Sequence, residues 1–473
     1  MNAPLQHRFS QVFLSSQLGV SASKVYATRR KQLLSELSSL CLFAGVPMAP
    51  GAEHPWAYTF DRRVQEPAFL YLTGVNQPGA FLALDPFARN PRQREVLFLP
   101  ERRLDREFWD GAMLGVSDPK DSNMAQMRSL TGFSEILPAT EFWDWLRKRL
   151  PAMRRHRHLM AFWHEYPTMT GKTHSLTTDS TAQFRDRLQA FLRQESPQME
   201  LRCVAPLHLR QRLSLDPKRL AMARSAQRCT REAFFDLLSS LTTHDNERTV
   251  LVQLESFMRA QGDDGLAFPT IVAGGDNACT LHYIKCDEPL RQNRLLLLDF
   301  GMRCGSLCSD ISRTLPLSGK FNPLQRLLYQ IVLDTQKFHQ SQVRAGKKLR
   351  ELNANAWAYM EHLLSERFLN LGGVARRAYP GERGPHGISH LIGEQVHEGD
   401  PFRLYLDLPL EPGMMISNEP GLYGTFSIRL GGKHYSETIG IRIEDDLLVS
   451  AHGCQNLSRD IPKEPEELEM LIY

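Results

Sequence analysis

Several things are scarce in this sequence, and each scarcity excludes a class of protein. No apolar run approaches the roughly 18 residues that a membrane-spanning helix requires, so no spanning segment is expected. Net charge is nearly absent: 57 basic against 53 acidic residues leave +4 over 473 residues, without the electrostatic footprint of a nucleic-acid binder. One local exception, RKRLPAMRRHRH from Arg147 to His158, reads as a solvated helix end. Patterned cysteine is missing as well. The eight cysteines, at 41, 203, 229, 279, 286, 304, 308 and 454, lack the spacing of a zinc ribbon or a disulfide framework, which fits a reducing compartment. Cys304 and Cys308 are followed by no second pair and read as buried or turn thiols. No Walker loop and no GxGxxG occurs in the N-terminal half. From Met1 to Ser35 there is no acidic residue, while Arg8, Lys24, Arg29, Arg30 and Lys31 are present. That is the composition of a transit peptide, but the early Pro4 and weak amphipathic pattern favour an ordinary basic lead-in. The expected location is therefore the cytoplasm, with the mitochondrion as the alternative; the lack of a long apolar region makes secretion unexpected.

What is present is a chain too long for one hydrophobic core. We divide it into an extension (1–22), an N-terminal domain (23–205) and a C-terminal domain (206–473). The first domain reads as mixed α/β. Val25, Leu33, Leu34, Leu37 and Leu40 recur at helical spacing across 23–42, and 68–73, 80–84 and 95–99 read as strands. Helices follow around 142–149 and 181–194, then a short strand at 199–206. In the second half, Asp216-Pro217 and Asn322-Pro323 are helix starts with a capping side chain and a proline at the first helical position. The latter helix is expected to reach Gly346, and a third helix to cover 355–370. Hairpin-like segments lie at 270–283 and 294–317, and strands at 414–423 and 437–450.

The chemistry sits in these hairpins. In LLLLDFGMRCGSLCSDISRT two strands joined by a glycine-bearing turn bring Asp299 opposite Asp310. An aspartate beside four leucines should be buried, and its charge then needs a cation or strong hydrogen bonds. In GIRIEDDLLV, alternation puts Ile441 and Ile443 on one face and Arg442 and Glu444 on the other. Glu419 ends an apolar strand just before Pro420-Gly421. Histidines 386, 390 and 397 cluster in GPHGISHLIGEQVHEGD, and His282 lies upstream. His386 and His390 have the i, i+4 spacing of a zincin helix, but Gly387 stands where its general-base glutamate should be, so that reading fails. Singly, each of these residues has a plain structural role open to it: a turn aspartate, a surface ion pair, a hydrogen-bonded histidine. Together, one imidazole and four carboxylates suit two hard or borderline divalent cations such as manganese, cobalt, iron or zinc.

The order DFG, DISRTLP with ten residues between the aspartates, HGISH, EPGLY and GIRIEDD resembles the five-ligand signature of the aminopeptidase P and prolidase family. The RR-x-x-L helix and FLYLTGVNQPGAFLAL are similar to its N-terminal domain, and KEPEELEMLI to its last helix, so the resemblance spans about 24–473. It implies an RNase-H-like mixed α/β domain ahead of an α+β pita-bread domain. It implies metal ligation by Asp299, Asp310, His390, Glu419 and Glu444, with Asp310 and Glu444 bridging two divalent ions, most readily Mn2+, with Co2+, Zn2+ or Fe2+ as alternatives. It further implies that His282, His386 and His397 surround the scissile bond, that Arg442 orients the bridging glutamate, and that Glu419 shuttles a proton. The implied reaction is release of the residue preceding proline from a peptide N-terminus, by attack of a hydroxide bridging the metals. A homo-oligomer, dimer or tetramer, is implied too. The segment TFSIRLGGKHYSET does not match the family's usual connection, which leaves the substrate entrance less defined. The alternatives are an Xaa-Pro dipeptidase, which would share every ligand, and a pita-bread binding module without catalysis, which would lack them.

Overall fold

The computed structural model describes residues 13, 22–47, 65–104, 107–108, 111–116, 122–153, 156–164, 166–167, 173–174, 179–261, 265–379, 384–399 and 404–472. The N-terminal extension lies almost wholly outside them. The chain divides into two compact units, Met1–Arg212 and Leu213–Tyr473.

Unit one is built on a mixed six-stranded sheet. Its described elements used here are α1 (Ala22–Glu36), β1 (Cys41–Ala44), α2 (Pro67–Thr73), β2 (Phe81–Leu84), β3 (Glu95–Leu99), α3 (Ser122–Thr131), β4 (Glu135–Pro138), α4 (Phe142–Arg149), β5 (His158–Ala161), α5 (Ser180–Glu195) and β6 (Glu200–Cys203). The strand order is β4-β3-β2-β1-β5-β6, parallel at β3/β4, β1/β5 and β5/β6 and antiparallel elsewhere. Two expectations fail here. The helix expected over 23–42 stops at Glu36, because Leu40, Leu42 and Phe43 are fully buried at the centre of the sheet; tertiary burial overrides helical periodicity. The strand expected at 68–73 is a helix. Pro67 opens it, Glu66 accepts the backbone N–H of Phe69 at 2.9 Å, and Gly74 (φ +71°) closes it. A short apolar run does not distinguish helix from strand.

Unit two carries two helical layers against antiparallel sheets. Its main elements used here are α6 (Pro217–Leu238), α7 (Glu247–Ala260), β7 (Ile271–Gly274), β8 (Leu295–Phe300), β9 (Ile311–Pro316), α8 (Pro323–Gln342), α9 (Leu349–Arg367), β10 (Val374–Arg377), β11 (Leu391–Ile392), β12 (Met415–Asn418), β13 (Gly421–Leu430), β14 (Lys433–Arg442), β15 (Asp445–Val449) and β16 (Cys454–Asn456). They form the sheets β9-β8-β7, β10-β13-β14 and β11-β12-β15-β16. Both proline-opened helices start as expected: Asp216 accepts from the N–H groups of Lys218 and Arg219, and Asn322 forms a capping box with Gln325. The second ends earlier than expected, at Gln342 with Val343 extended; Gly346 takes a left-handed conformation in the following turn instead. The third helix begins at Leu349, not at 355, because the apolar positions Leu349, Leu352 and Ala356 are all buried.

The segment 270–283 is not a hairpin. Strand β7 pairs with β8, and the chain then turns into a 3-10 helix at Gly275–Cys279. The segment TFSIRLGGKHYSET proves to be the middle of a ten-pair hairpin, β13/β14, closed at Gly431 (φ +55°) and Gly432 (φ +80°). Two adjacent positive φ values are the signature of a type I′ turn, whose twist matches the flanking strands. Cys304 and Cys308 lie buried in a small antiparallel pair, Arg303–Cys304 with Leu307–Cys308, and no disulfide links any of the eight cysteines.

Candidate metal centre

Of the acidic residues singled out from the sequence, Asp299 lies within a ladder, whereas Asp310, Glu419 and Glu444 lie just outside strands. Asp299 lies on β8 after four buried leucines and pairs with Ser312. Asp310 sits one residue before β9, outside the ladder, and its N–H donates to Asp446 Oδ2 at 3.1 Å. Glu444 occupies the junction of β14 and β15. Its N–H donates to the Ser312 carbonyl at 3.0 Å, and its own carbonyl accepts from the buried Arg313, which also pairs with Asp445 at 2.8 Å. Glu419 stands between β12 and β13, its N–H held by the Ile388 carbonyl at 2.9 Å. His390 precedes β11, its N–H donating to Ser417 Oγ at 3.0 Å. The 386–390 stretch is not helical, which agrees with rejecting a zincin.

All nine residues singled out from the sequence, Asp299, Asp310, His390, Glu419, Glu444, His282, His386, His397 and Arg442, line one cavity of about 740 Å³. One ligand atom each from Asp299, Asp310 and Glu444 lie within 4.8 Å of one another, as do those of His390, Glu419 and Glu444. A third set, Asp310, His390 and His397, does the same, so His397, read from the sequence as a non-ligand, stands within ligand range. His390 Nε2 lies 3.1 Å from Glu419 and 3.4 Å from Asp310. Its Nδ1 lies 3.2 Å from the Leu391 carbonyl, an acceptor placed for the ring N–H, so that Nε2 is the nitrogen turned towards the carboxylates.

Electrostatics mark the site as incomplete without positive charge. Burial pushes Asp310 up to about 7, with Asp299 adding to the effect, and pushes Asp299 and Glu444 upward as well. Burial would raise Glu419 too, but His390, His386 and Arg442 outweigh it and hold Glu419 at about 2. Burial lowers His386, whereas in His390 the adjacent Asp310 and Glu419 overcome burial and raise it. Asp299 Oδ1 and Glu444 Oε1 are buried without a hydrogen-bond partner. Orphaned carboxylate oxygens of this kind carry a large desolvation penalty. Divalent cations satisfy both, so the residues present fit a two-metal centre.

Arg442 does not touch Glu444 directly. Its Nη2 donates to Asp299 Oδ2 at 2.6 Å, its Nε to Ser312 Oγ at 2.8 Å, and Ser312 Oγ donates to Glu444 Oε2 at 2.8 Å. Arg442 Nη1 also reaches the Tyr423 hydroxyl at 3.2 Å. Ser312 and Tyr423 were passed over in the sequence; the signal for Ser312 was its position two residues after Asp310 on the same face. Both ring nitrogens of His386 are engaged, with the Gly387 carbonyl at 2.8 Å and the Tyr423 hydroxyl at 3.0 Å. His282 and His397 are exposed on the cavity wall.

The fold and this donor set define a metal-dependent peptidase. Metallopeptidase family M24 matches residues 221–451, and the aminopeptidase P N-terminal domain matches residues 26–152. Xaa-Pro aminopeptidase 3 of Mus musculus is 31% identical over 88% of this chain and 77% of its own. Proline aminopeptidase P II from Yersinia pestis superimposes with a TM-score of 0.73 at 26% identity, over 95% of this chain and 99% of that one. Aminopeptidase P from E. coli with the inhibitor Pro-Leu gives a TM-score of 0.73 at 25% identity, over 95% and 98%. The chain belongs to the Xaa-Pro aminopeptidases, hydrolases of metallopeptidase family M24. The mixed α/β unit ahead of a pita-bread unit stands as expected, the aminopeptidase reading holds over prolidase, and the metallopeptidase family implies divalent metal ions. No helix among the described residues is long and apolar enough to cross a membrane.

Proposed function

We propose that Asp299, Asp310, His390, Glu419 and Glu444 hold two divalent ions, with Asp310 and Glu444 shared between them, and that this centre hydrolyses the bond before a proline in second position. The observation that carries this is the convergence of those five side chains in one cavity with two of their oxygens orphaned. When bound, the ions, proposed as Mn2+ with Co2+, Zn2+ or Fe2+ as alternatives, would supply Lewis acidity and make water a better nucleophile by lowering its pKa. Glu419, between His386 at 3.7 Å and His390 at 3.1 Å, carries the proton to the proline nitrogen. His282 and His397 donate to the developing oxyanion. His386, engaged on both nitrogens, instead fixes Tyr423 and through it Arg442. Arg442 and Ser312 hold Asp299 and Glu444 in the geometry that two ions need. Apolar wall residues Ile271, Leu281 and Ile284 offer a surface for the pyrrolidine ring, which brings no N–H to satisfy.

The 206–473 segment is proposed as the catalytic domain behind an N-terminal domain over 23–205. A cytoplasmic location and a dimeric or tetrameric assembly are proposed with it; light scattering of the purified protein measures the latter. The decisive assay is a peptide panel with added metals. Arg-Pro-Pro should be cleaved after arginine in the presence of manganese, and activity confined to the dipeptide Gly-Pro would overturn the assignment.

A further inference from the structure

The loop that carries His397 is anchored from behind. Glu394 lies between β11 and His397, and its two carboxylate oxygens accept from Arg219 Nε at 3.0 Å and Nη2 at 2.7 Å. Both side chains are only 1% exposed. Arg219 is the third residue of α6, fixed there by its own N–H donating to Asp216 at 2.9 Å and by Nη1 donating to the Ser214 carbonyl at 3.1 Å. The loop is held to itself as well: Glu398 N–H donates to the Leu391 carbonyl at 2.8 Å, and the Glu398 carboxylate accepts from Gln395 N–H at 3.2 Å. Cys308 N–H, two residues before Asp310, donates to the Gly393 carbonyl at 3.0 Å. Three residues beyond Glu394, the His397 ring stands with its centroid 4.2 Å from that of His390.

A fully desolvated arginine–glutamate pair gives little net stability over two well-packed apolar side chains, because desolvation offsets the attraction. What a two-pronged guanidinium–carboxylate pair does supply is fixed distance and direction. The pair joins the start of α6 to a loop whose exposed tip faces the cavity. We propose that Arg219 and Glu394 are positioning residues for His397, setting where its ring stands relative to the metal ligands and the substrate carbonyl. This rests on the substrate-facing role given to His397 above.

The test compares four manganese-loaded proteins: wild type, Arg219→Met/Glu394→Leu, His397→Ala, and the three substitutions combined. Thermal unfolding, manganese content, kcat and KM on an Xaa-Pro tripeptide are measured for each. The expected double variant folds and binds manganese as wild type does, its KM shifts only a few-fold, and its kcat falls on the order of ten- to a hundredfold. The combined variant is then no slower than His397→Ala alone, since the pair acts through that side chain. A double variant with wild-type kcat, or a further loss in the combined variant that multiplies the separate losses, overturns the proposal. Wild-type kcat in His397→Ala overturns the role of His397 and the inference with it, and is distinguishable because the pair is intact there. Should the double variant not fold, Glu394→Gln, which keeps the side-chain shape and one oxygen acceptor, is carried through the same comparison.

Discussion

Glu444→Gln separates the two effects proposed for this carboxylate: it would bind cations, and without them it repels its neighbours. The side chain is 1% exposed, accepts from Ser312 at 2.8 Å through one oxygen and leaves the other orphaned. Its ligand oxygen lies within 4.8 Å of those of Asp299 and Asp310, and at an effective dielectric of about 20 two unit charges at that separation repel by about 3 kcal/mol. The amide abolishes that repulsion while keeping the shape. In chelator, therefore, the variant should be the more heat-stable protein, by several degrees at 2–4 °C per kcal/mol for a unit of roughly this size. The difference must depend on pH. Asp310, raised to about 7, and Glu444, raised well above the ordinary range, take up protons on folding. Their contribution is thus fully present below the ordinary carboxylate pKa of about 4 and is lost as pH rises through the folded value. The gap between variant and wild type accordingly widens from pH 5 to pH 8. With manganese the order reverses, because only the wild type gains the binding free energy of an intact centre. Scanning calorimetry in chelator and in manganese at several pH values, alongside tripeptide hydrolysis, measures all of this. Turnover should fall by roughly three orders of magnitude, in line with the loss of metal-based stabilisation. A variant less stable than wild type in chelator, or one with near-normal turnover, would refute the reasoning.

Three further outcomes are expected. Arg442→Lys gives up the fork that links Asp299 and Ser312 and should lower kcat/KM about ten- to a hundredfold with metal content nearly unchanged; loss of both ions would show that Arg442 holds the fold of the centre and not its geometry. His339, buried and held neutral with its pKa lowered to about 4 by burial, binds its proton more readily when unfolded. Stability is therefore lost as pH falls from about 6.5 to 4, by up to about 3 kcal/mol; urea midpoints of His339→Gln should lack that part of the slope. Gly431→Ala meets open space at φ +55°, so its cost is conformational alone, about 1 kcal/mol, with hydrolysis unaffected; a kinetic change would mean that the β13/β14 turn contacts substrate.

The acidic side chains that converge in the cavity were legible in the sequence because a charged side chain among buried strands has few physical excuses. Asp299 after four leucines, and Glu444 alternating with two isoleucines, both announce a compensating charge. Asp216-Pro217 and Asn322-Pro323 were legible because capping chemistry is local. The same chemistry opens a helix at Glu66-Pro67, where the short apolar run that follows suits helix and strand alike. The Gly431-Gly432 turn is local as well, since two adjacent glycines between strand-like runs specify a hairpin.

What the sequence by itself determined is which acidic and histidine side chains are candidates for the centre, their order along the chain and the helix starts, all fixed by residue type and by neighbours a few positions away. Only the tertiary structure decided that Cys41 and Leu42 belong to a strand and not to the preceding helix, that Ser312 stands between Arg442 and Glu444, and that both nitrogens of His386 are engaged. It alone paired Arg219 with Glu394. The physical reason is range: caps and strand alternation act within a few residues, whereas burial and hydrogen bonding join groups more than a hundred positions apart, and no local pattern records which distant partner the fold will supply.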